Sequence, residues 1–551
     1  MSSLTPPPWP VPAPLPALPA ESFDELLALI AEKRPCLPVL SGSESQDFEP
    51  RWTYLSGRDL QQQVYSVAAL LGQHLGVVPG DRVAWLGLNH PTQIVLLFAL
   101  ARLGAIFVPL NHRLSPDEWV AVMDDCTPSV LVCDESLQDP AQDMAGRCAW
   151  LPLVLPVQVL QVGERLPLPP PSETVQKALL NALQTPLLLV YTSGTTGKPK
   201  GAVHTQGNLL ANMAIAAQVQ GITPDDVVVT VLPLFHVGGL CIQTLPALSV
   251  GAQVLLFDRF DPGATLRCFE TQRPTLTLQV PATLQALIAH PGWTETDLSS
   301  LRAVWAGSSL LPAQPVQAFH GRGIPVCNVY GSTETGPFSI ALPPTHALSH
   351  DGSCGWPAPG VEVRLCSPQG TEVASGEVGE VWVRAPNVVT RYWPDQPTCD
   401  AEGFFHSGDL ARQAPDGSHT VVGRSKDMII SGGENIYPAE IENLLIQHPW
   451  VAECAVVGMP DARWGETVVA VLVFTEAAAP DENWVQQLRA FLEGRLARYK
   501  WPRQWLQLPA LPRTALGKVQ KPELQRQISA RPATTAWPGA PAPEPAGPSR
   551  S

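Results

Sequence analysis

The sequence predicts an α/β protein with a large N-terminal domain of mixed and parallel sheets and a small C-terminal α+β domain. Apolar segments of strand length alternate with helical patterns through most of the chain. The segment Arg82–Leu86 precedes a helical pattern near Pro91–Leu103. The next one, Ile106–Leu110, precedes a helical pattern that starts near Ser115. This alternation is typical of largely parallel sheets that are covered by helices.

From about Gly376 the pattern changes to short strands separated by turns. The segment Gly379–Arg384 has the length of a strand, and Asp416-Gly417 is a turn signal before the apolar Val421-Val422. This change predicts a distorted β-barrel part at the end of the large domain.

A compact α+β unit is predicted to start near residue 425. Pro438 is placed at the first turn of a helix whose Ile441, Leu444 and Leu445 share one face. The other elements predicted in this unit are the strands Ala452–Val457 and Val468–Phe474 and a helix that carries Val485, Leu488, Leu492 and Arg495.

These patterns divide the chain into domains. At 551 residues the chain is longer than a single hydrophobic core supports. We expect an N-terminal domain over residues 22–424 and a C-terminal domain over residues 425–530, whose mobility is implied by a family resemblance given below. Proline-rich composition predicts disordered tails at residues 1–21 and 531–551.

Composition excludes several classes of protein. The net charge of −15 argues against nucleic acid or an anionic membrane as the main partner. Eleven cysteines without a C-x-x-C pair predict reduced thiols in a cytoplasmic protein. Residues 1–20 lack the pattern of a signal peptide. The longest apolar segment, Ile94–Leu110, is interrupted by Arg102 and Gly104 and is too short for an easy membrane span.

A glycine-rich segment, Tyr191–Gly201, follows the predicted buried strand Pro186–Val190. Its glycines allow the backbone to approach a ligand closely, and its N–H groups, hydroxyls and lysines favour a polyphosphate. It is not a Walker A loop, because that motif requires Ser or Thr after its lysine, whereas Pro199 follows Lys198.

The segment Tyr330–Gly336 combines an aromatic face, hydroxyls and one carboxylate. These groups suit a nucleotide: Tyr330 against a purine, Thr333 on a phosphate oxygen and Glu334 on Mg²⁺, a hard cation that prefers oxygen ligands.

Three further segments place polar side chains in glycine turns. Ser407-Gly408-Asp409 offers a carboxylate that suits a ribose diol. Gly423–Asp427, followed by Ser431–Asn435, joins the two predicted domains, and Pro512–Lys518 places a lysine near the C-terminus.

The order of these five segments resembles that of the adenylate-forming superfamily of acyl- and aryl-CoA synthetases, over about residues 22–528. The resemblance implies that Tyr330 lines an adenine pocket, Thr333 contacts the α-phosphate and Glu334 binds Mg²⁺. It implies that Asp409 and Arg424 hold the ribose hydroxyls. The residues it assigns to the β- and γ-phosphates are those of the glycine-rich loop, Thr192, Ser193, Gly194, Thr195, Thr196, Gly197, Lys198 and Lys200.

The resemblance also implies two half-reactions that use ATP, Mg²⁺ and coenzyme A. Lys518 is expected to reach the α-phosphate and the substrate carboxylate while the acyl-AMP forms. The small domain then swings about Lys426, so that the loop of Ser431, Gly432 and Gly433 replaces Lys518 and lines a pantetheine tunnel.

The acid substrate is less well defined by the sequence. Leu232–Gly239 resembles the segment that borders the acyl site, and His236 stands where amino-acid-activating relatives usually carry Asp, so an amino acid is not expected. His236 either gates the acyl pocket or is a buried structural histidine. Small residues in Ala306–Ser309 leave depth for a medium- or long-chain fatty acid, which we slightly favour, or for an aryl acid.

The sequence thus predicts an ATP-dependent, AMP-forming acid–CoA ligase. One alternative is a stand-alone adenylation enzyme that loads the phosphopantetheine of a carrier protein. Another is a non-catalytic nucleotide-binding homologue, although Glu334 and Lys518 are both present.

Overall fold

The computed structural model contains, within the residues that it describes, three sheets before residue 425 and a fourth sheet after it. The described residues are 7–9, 11–46, 49–150, 152–161, 181–193, 199–307, 311, 313–350, 352–431, 434–461, 464–475, 483–514 and 518–530.

The strands are numbered in chain order. They are β1 (Pro38–Gln46), β2 (Glu49–Ser56), β3 (Arg82–Leu86), β4 (Ile106–Leu110), β5 (Val130–Cys133), β6 (Leu153–Pro156), β7 (Pro186–Ser193), β8 (Pro199–Thr205), β9 (Val227–Thr230), β10 (Gln253–Leu256), β11 (Leu276–Gln279), β12 (Ala303–Gly307), β13 (Val326–Tyr330), β14 (Ile340–Ala341), β15 (Trp356–Pro357), β16 (Glu362–Cys366), β17 (Val378–Arg384), β18 (Arg391–Tyr392), β19 (Gln396–Pro397), β20 (Phe405–Gln413), β21 (His419–Arg424), β22 (Ile429–Ser431), β23 (Glu434–Ile436), β24 (Val451–Asp461), β25 (Gly465–Phe474) and β26 (Gln504–Gln507).

Two large sheets form the core of the N-terminal part. The first has the order β15-β14-β13-β12-β11-β9-β10-β1-β2, parallel from β13 to β1 and antiparallel at both edges. The second has the order β19-β18-β8-β7-β4-β3-β5-β6, parallel from β7 to β6. The remaining pairs of the second sheet are antiparallel.

Two smaller sheets complete the molecule. The short-strand part of the N-terminal region is an antiparallel sheet in the order β16-β17-β20-β21. The C-terminal sheet has the order β23-β22-β25-β24, and β26 pairs with β25 in parallel.

The helices begin and end largely where local signals predict. Pro91 occupies the first turn of one helix, and Gly104 ends it at φ +69°, a left-handed conformation that suits glycine. Ser115 caps the next helix and forms a capping box with Glu118. The helices are Phe23–Lys33, Gly57–Ala69, Pro91–Leu103, Pro116–Cys126, Gln138–Arg147, Gln206–Gln220, Val237–Gly239, Leu245–Val250, Pro262–Thr271, Pro281–Ala289, Ala313–His320, Pro438–Leu445, Trp484–Leu492 and Lys521–Ser529.

Helix length and hydropathy bear on two of the sequence predictions. The helix predicted to carry Arg495 ends at Leu492 instead, and Gly494 follows at φ +73°. A positive φ is incompatible with continuing a right-handed helix. No helix in the described ranges has the length and apolar character needed to cross a membrane.

The buried apolar residues form separate clusters on the two sides of the predicted domain boundary. Those of the N-terminal part run from Ala20 to Ala411, and those of the C-terminal part run from Ile429 to Ile528. The division between residues 424 and 425 remains a prediction, and this separation supports it.

The described residues of the predicted N-terminal tail, 7–9 and 11–21, contact the rest of the chain, which differs from the disordered tail that we expected. The Trp9 indole donates a hydrogen bond to the Pro357 carbonyl at 2.8 Å, and the Gly360 N–H donates to the Ala13 carbonyl at 2.9 Å. Trp9 and Leu18 also pack against the core. Prolines fix φ in advance, so this segment loses little conformational entropy when it docks. The predicted tail at 531–551 lies outside the described residues.

Candidate active site

Tyr330, Asp409 and Arg424 meet where β13 ends beside the paired strands β20 and β21. The Tyr330 hydroxyl donates to Asp409 Oδ2 at 2.9 Å, and Arg424 forms an ion pair with Asp409, Nε to Oδ1 at 2.8 Å. The β20–β21 register places Asp409 directly opposite Arg424. The structure therefore brings together the three side chains assigned to adenosine.

Burial dominates the electrostatics of this trio. Burial raises the pKa of the Asp409 carboxyl above its ordinary value, while the charge of Arg424 and the hydroxyl of Tyr330 act in the opposite direction. Burial, reinforced by the nearby Asp409 carboxylate, also raises the pKa of Tyr330. Tyr330 therefore stays protonated and serves as a hydrogen-bond donor.

A tight turn after β13 presents Thr333 and Glu334. A 3₁₀ turn spans Thr333–Thr335, and the Ser332 N–H donates to Thr335 Oγ1 at 2.9 Å. Gly331 has no room for a side chain, because a Cβ there would lie 1.6 Å from the Pro337 carbonyl oxygen. The glycine is therefore needed for the turn to close.

Two residues without motif character hold Glu334. The Tyr392 hydroxyl donates to Glu334 Oε1 at 2.8 Å, and the Val389 N–H donates to the Glu334 carbonyl at 2.8 Å. Glu334 Oε2 accepts no hydrogen bond from any residue that the structure describes. Sequence reasoning missed Tyr392 and Val389, since neither lies in a glycine turn.

Lys518 approaches this site from the C-terminal part of the chain. Its charge interacts with the carboxylates of Asp409 and Glu334, which raise its pKa, and with Arg424 and Lys426, which lower it. Desolvation is the largest influence and lowers the pKa of Lys518, although the residue as a whole is exposed. The structure thus places Lys518 beside the predicted nucleotide and metal residues.

The glycine-rich loop is held at both ends by a β-hairpin. Thr192 pairs with Lys200 across β7 and β8, and its hydroxyl donates to the Lys200 carbonyl at 3.4 Å. The Lys200 ammonium lies 5.1 Å from the centroid of the Tyr392 ring. Ser193 pairs with Pro199 by its backbone. The other predicted phosphate-binding residues, Gly194, Thr195, Thr196, Gly197 and Lys198, lie outside the described residues.

His236 caps a short helical segment beside the site. Its Nδ1 accepts a hydrogen bond from the Gly238 N–H at 3.0 Å. Burial, with a smaller contribution from the charge of Lys518, lowers the pKa of His236 to about 4. His236 is therefore neutral near pH 7, and its proximity to Lys518 supports a place at the acid site.

Asn89 fixes the backbone on which His236 stands. Its side-chain amide donates to the carbonyls of Leu232 and Phe257, each at 3.0 Å, and its Oδ1 accepts from the Leu234 N–H at 2.8 Å. Asn89 follows β3 of the second sheet, whereas Leu232 follows β9 of the first. Sequence reasoning also missed this residue.

The segment that joins the two predicted domains begins at Gly423, and we call it the hinge segment. Lys426 lies in a 3₁₀ turn, Ser425–Asp427, between β21 and β22. Ser431 is buried, and its hydroxyl has no hydrogen-bond partner in the described part of the chain. The predicted tunnel residues Gly432 and Gly433 lie outside the described residues.

Family models match most of the chain. The model of the AMP-binding enzyme matches residues 30–393, and that of the AMP-binding enzyme C-terminal domain matches residues 440–518. The chain belongs to the AMP-binding enzyme family.

Curated relatives are acid–CoA ligases. The indoleacetate–CoA ligase of Aromatoleum aromaticum is 46% identical over 462 residues, which are 83% of this chain and 90% of the relative. The feruloyl-CoA synthase of an Amycolatopsis species is 41% identical over 480 residues, 86% of this chain and 94% of the relative.

Solved structures show the same fold. The anthranilate CoA ligase AuaEII in complex with anthranoyl-AMP has a TM-score of 0.83 at 26% identity, covering 94% of this chain and 98% of that one. The o-succinylbenzoate CoA synthetase of Bacillus subtilis in complex with ATP and magnesium ion has a TM-score of 0.78 at 28% identity, with coverage of 91% and 99%. The predicted fold class and family are confirmed, and the protein is an AMP-forming acid–CoA ligase homologue.

Proposed function

We propose that this protein activates an aromatic carboxylic acid with ATP and transfers the acyl group to coenzyme A. The curated relatives reported above act on indoleacetate and ferulate, and the anthranilate ligase binds an aromatic adenylate. These likenesses favour an aryl acid over the fatty acid that the sequence slightly favoured.

The observation that carries the proposal is the convergence of Lys518 on the trio of Tyr330, Asp409 and Arg424 and on Glu334. An ammonium from one part of the chain thus lies beside two carboxylates from the other. The ribose diol of ATP would bind at Asp409 and Arg424, and the adenine would lie against Tyr330.

Glu334 fits a magnesium ion. A half-buried carboxylate with one oxygen unused by the described residues supplies the hard oxygen ligand that Mg²⁺ takes alongside water and substrate phosphates. Bound there, Mg²⁺ would neutralise charge on the phosphates of ATP. The o-succinylbenzoate CoA synthetase that binds ATP and magnesium ion supports this assignment.

The first half-reaction joins two anions. The substrate carboxylate attacks the α-phosphorus of ATP, an acyl-AMP forms and pyrophosphate leaves. Positioning and charge stabilisation dominate such phosphoryl chemistry. Lys518 would hold the attacking carboxylate and the α-phosphate together, Thr333 would donate to an α-phosphate oxygen, and the glycine-rich loop from Thr192 to Lys200 would hold the departing pyrophosphate.

The second half-reaction requires a different face of the C-terminal domain. The thiolate of coenzyme A attacks the acyl carbon and AMP leaves. Lys518 would obstruct the thiol if it stayed beside the α-phosphate, so we propose that the domain swings about Lys426 and brings the Ser431 loop into its place. The buried Ser431 hydroxyl has no partner among the described residues, which supports a second arrangement in which that group finds one.

The acid would bind between His236 and the end of β12. Ala306 is fully buried, and Gly307 leaves little room beside it, because a Cβ there would lie 2.7 Å from the Val329 carbonyl oxygen. His236, neutral at pH 7, would border the ring of the acid without attracting a second charge.

ATP–pyrophosphate exchange across a panel of acids tests this proposal. We expect indoleacetate, ferulate, anthranilate or benzoate to support faster exchange than octanoate or palmitate. Faster exchange with the fatty acids would overturn the aryl assignment, and no exchange with any acid would overturn the proposed activity.

The acceptor is tested separately. Purified acyl-AMP is mixed with free coenzyme A, and AMP release is followed. Prompt release supports coenzyme A as the acceptor, whereas release only with a phosphopantetheinylated carrier protein would favour carrier loading.

A further inference from the structure

Tyr392 belongs to none of the sequence motifs, yet it contacts the predicted metal ligand. Its hydroxyl donates to Glu334 Oε1 at 2.8 Å across 58 positions of the chain. Because this bond occupies Oε1, it leaves Oε2 as the carboxylate oxygen that no described residue uses. One side chain thus engages one oxygen of Glu334, and the other oxygen faces no hydrogen-bond donor of the described residues.

The ring of Tyr392 contacts the other anion-binding element. The Lys200 ammonium lies 5.1 Å from the ring centroid, within the range of a cation–π interaction. Lys200 is the last of the residues assigned to the glycine-rich loop. Tyr392 therefore contacts both Lys200 and Glu334.

The backbone around Tyr392 is fixed on both sides. Strand β18 pairs with β8 through Tyr392 and Ala202, and the Trp393 N–H donates to the Gly201 carbonyl at 2.7 Å. Upstream, Asn387 Nδ2 donates to the Thr335 carbonyl at 2.8 Å. These bonds tie the segment both to the strand that leaves the loop and to the turn that carries Glu334.

We propose that Tyr392 is a positioning residue for metal binding, whose hydroxyl orients the Glu334 carboxylate while its ring holds the Lys200 ammonium. This inference rests on the proposed function, in which Glu334 binds Mg²⁺. Groups that hydrogen-bond to metal ligands orient them, and their loss typically lowers metal affinity about 10- to 100-fold. If Tyr392 only stabilised the fold, its substitution would lower stability without changing the magnesium requirement.

The test measures magnesium-dependent nucleotide binding and needs no turnover. The full chain is titrated with α,β-methylene-ATP at increasing Mg²⁺ concentrations, and calorimetry gives the Mg²⁺ concentration for half-maximal binding. Tyr392→Phe, which keeps the ring, is expected to raise that concentration about 10- to 100-fold. The matched control is Tyr65→Phe, whose ring packs under Arg102 in another part of the fold, and it is expected to leave the value unchanged.

A double variant tests whether Tyr392 acts through the Glu334 carboxylate or affects magnesium binding independently of it. Glu334→Gln is expected to raise the magnesium requirement by itself, and adding Tyr392→Phe is expected to raise it little further, because the two side chains act as one unit. Full additivity of the two changes would overturn the proposal. An unchanged magnesium requirement in a folded Tyr392→Phe protein would also overturn it.

Two further variants keep the test decisive should Tyr392→Phe fail to fold. Tyr392→His retains a ring and an N–H donor, whereas Tyr392→Leu retains neither, so the His variant is expected to need less Mg²⁺. Equal requirements would overturn the proposal. A wild-type chain that binds the analogue with Mg²⁺ but activates no acid would refute the proposed function, while these comparisons still decide the role of Tyr392.

Discussion

The two sides of the candidate site are held in different ways. On the N-terminal side, Asp409 accepts a hydrogen bond from Tyr330, forms an ion pair with Arg424, and donates its own N–H to Ser407 Oγ at 3.0 Å. On the C-terminal side, Lys518 is exposed. Its N–H donates to Thr514 Oγ1 at 3.2 Å and its carbonyl accepts from the Thr514 N–H at 2.7 Å, both within its own turn. Under the proposed function, the fixed side would recognise the nucleotide, and the side held by fewer contacts would be exchanged between the two half-reactions.

Removal of the Lys518 ammonium is expected to have the largest effect and tests the difference between the two sides directly. Lys518→Ala is expected to slow adenylation about 10²- to 10³-fold, since a preorganised charge at the reacting phosphate is lost. Thioester formation from supplied acyl-AMP is expected to persist, because Lys518 has left the site by then. Single-turnover assays of each half-reaction measure both, with the exposed Lys33→Ala as control. Equal losses in both would contradict the exchange of faces.

Asp409→Asn tests the fixed side, and its effect is expected to reach both half-reactions. The neutral amide weakens the bond to Arg424 and the contact with a ribose diol, and hydrogen bonds to charged groups contribute about 1.5–3 kcal/mol. We therefore expect ATP affinity to fall about 10- to 100-fold in equilibrium titration. Asp297→Asn, which breaks an exposed pair with Arg273, is the control. Loss confined to one half-reaction would contradict a shared nucleotide site.

Gly331→Ala tests how tightly the fixed side is built. The new methyl group would collide with the Pro337 carbonyl, so the turn has to shift. Overpacking of this kind typically lowers the free energy of unfolding by about 1–3 kcal/mol. Urea denaturation measures it against Gly146→Ala, a helical position where a Cβ meets nothing within 4 Å. Equal stability of the two variants would contradict the close approach.

The effect expected to be smallest at neutral pH concerns the interior of the fixed side. His204 on β8 is fully buried, neither ring nitrogen has a hydrogen-bond partner among the described residues, and burial lowers its pKa from 6.5 to about 4. Between these two pH values the unfolded chain binds the proton and the folded chain does not. Stability therefore falls as pH decreases through this window and levels off below it.

The His204→Leu variant isolates this contribution. One proton contributes a slope of about 1.4 kcal/mol per pH unit to the free energy of unfolding. Between pH 6.5 and about 4, the slope of the variant is expected to be smaller than that of the wild type by up to this amount. Urea denaturation at several pH values measures the slope, with the exposed His74→Leu as control. If the variant and the wild type have the same dependence of stability on pH, His204 is either hydrogen-bonded or protonated in the folded state, and the prediction is wrong.

Local chemistry explains what the sequence could predict. Glycine turns beside Glu334, Asp409 and Lys518 are short-range signals, so the site residues could be named before their proximity was known. Strand and helix bounds such as Arg82–Leu86 and Pro91–Leu103 followed from apolar runs and from Pro and Gly at their ends.

What the sequence could not predict depends on long-range contacts. Tyr392 reaches Glu334 only because β18 pairs with β8, and Asn89 reaches Leu232 only because two sheets meet. Proline-rich composition also predicted a disordered start. The contacts of Trp9 and Leu18 with the core overturn that expectation for the described part of this segment, since whether an apolar side chain finds a surface depends on the rest of the fold.

Asn89 has a consequence for redesign of the substrate range. The segment Leu232–Gly239 borders the proposed acid pocket, but its backbone is fixed by an amide that comes from the other sheet. If this segment alone were grafted from a relative, it would bring its own side chains. It would lose the hydrogen bonds to Asn89 wherever its backbone lay in a different position. Grafts that carry the residues around Asn89 and Phe257 together with Leu232–Gly239 would transfer the pocket as a unit.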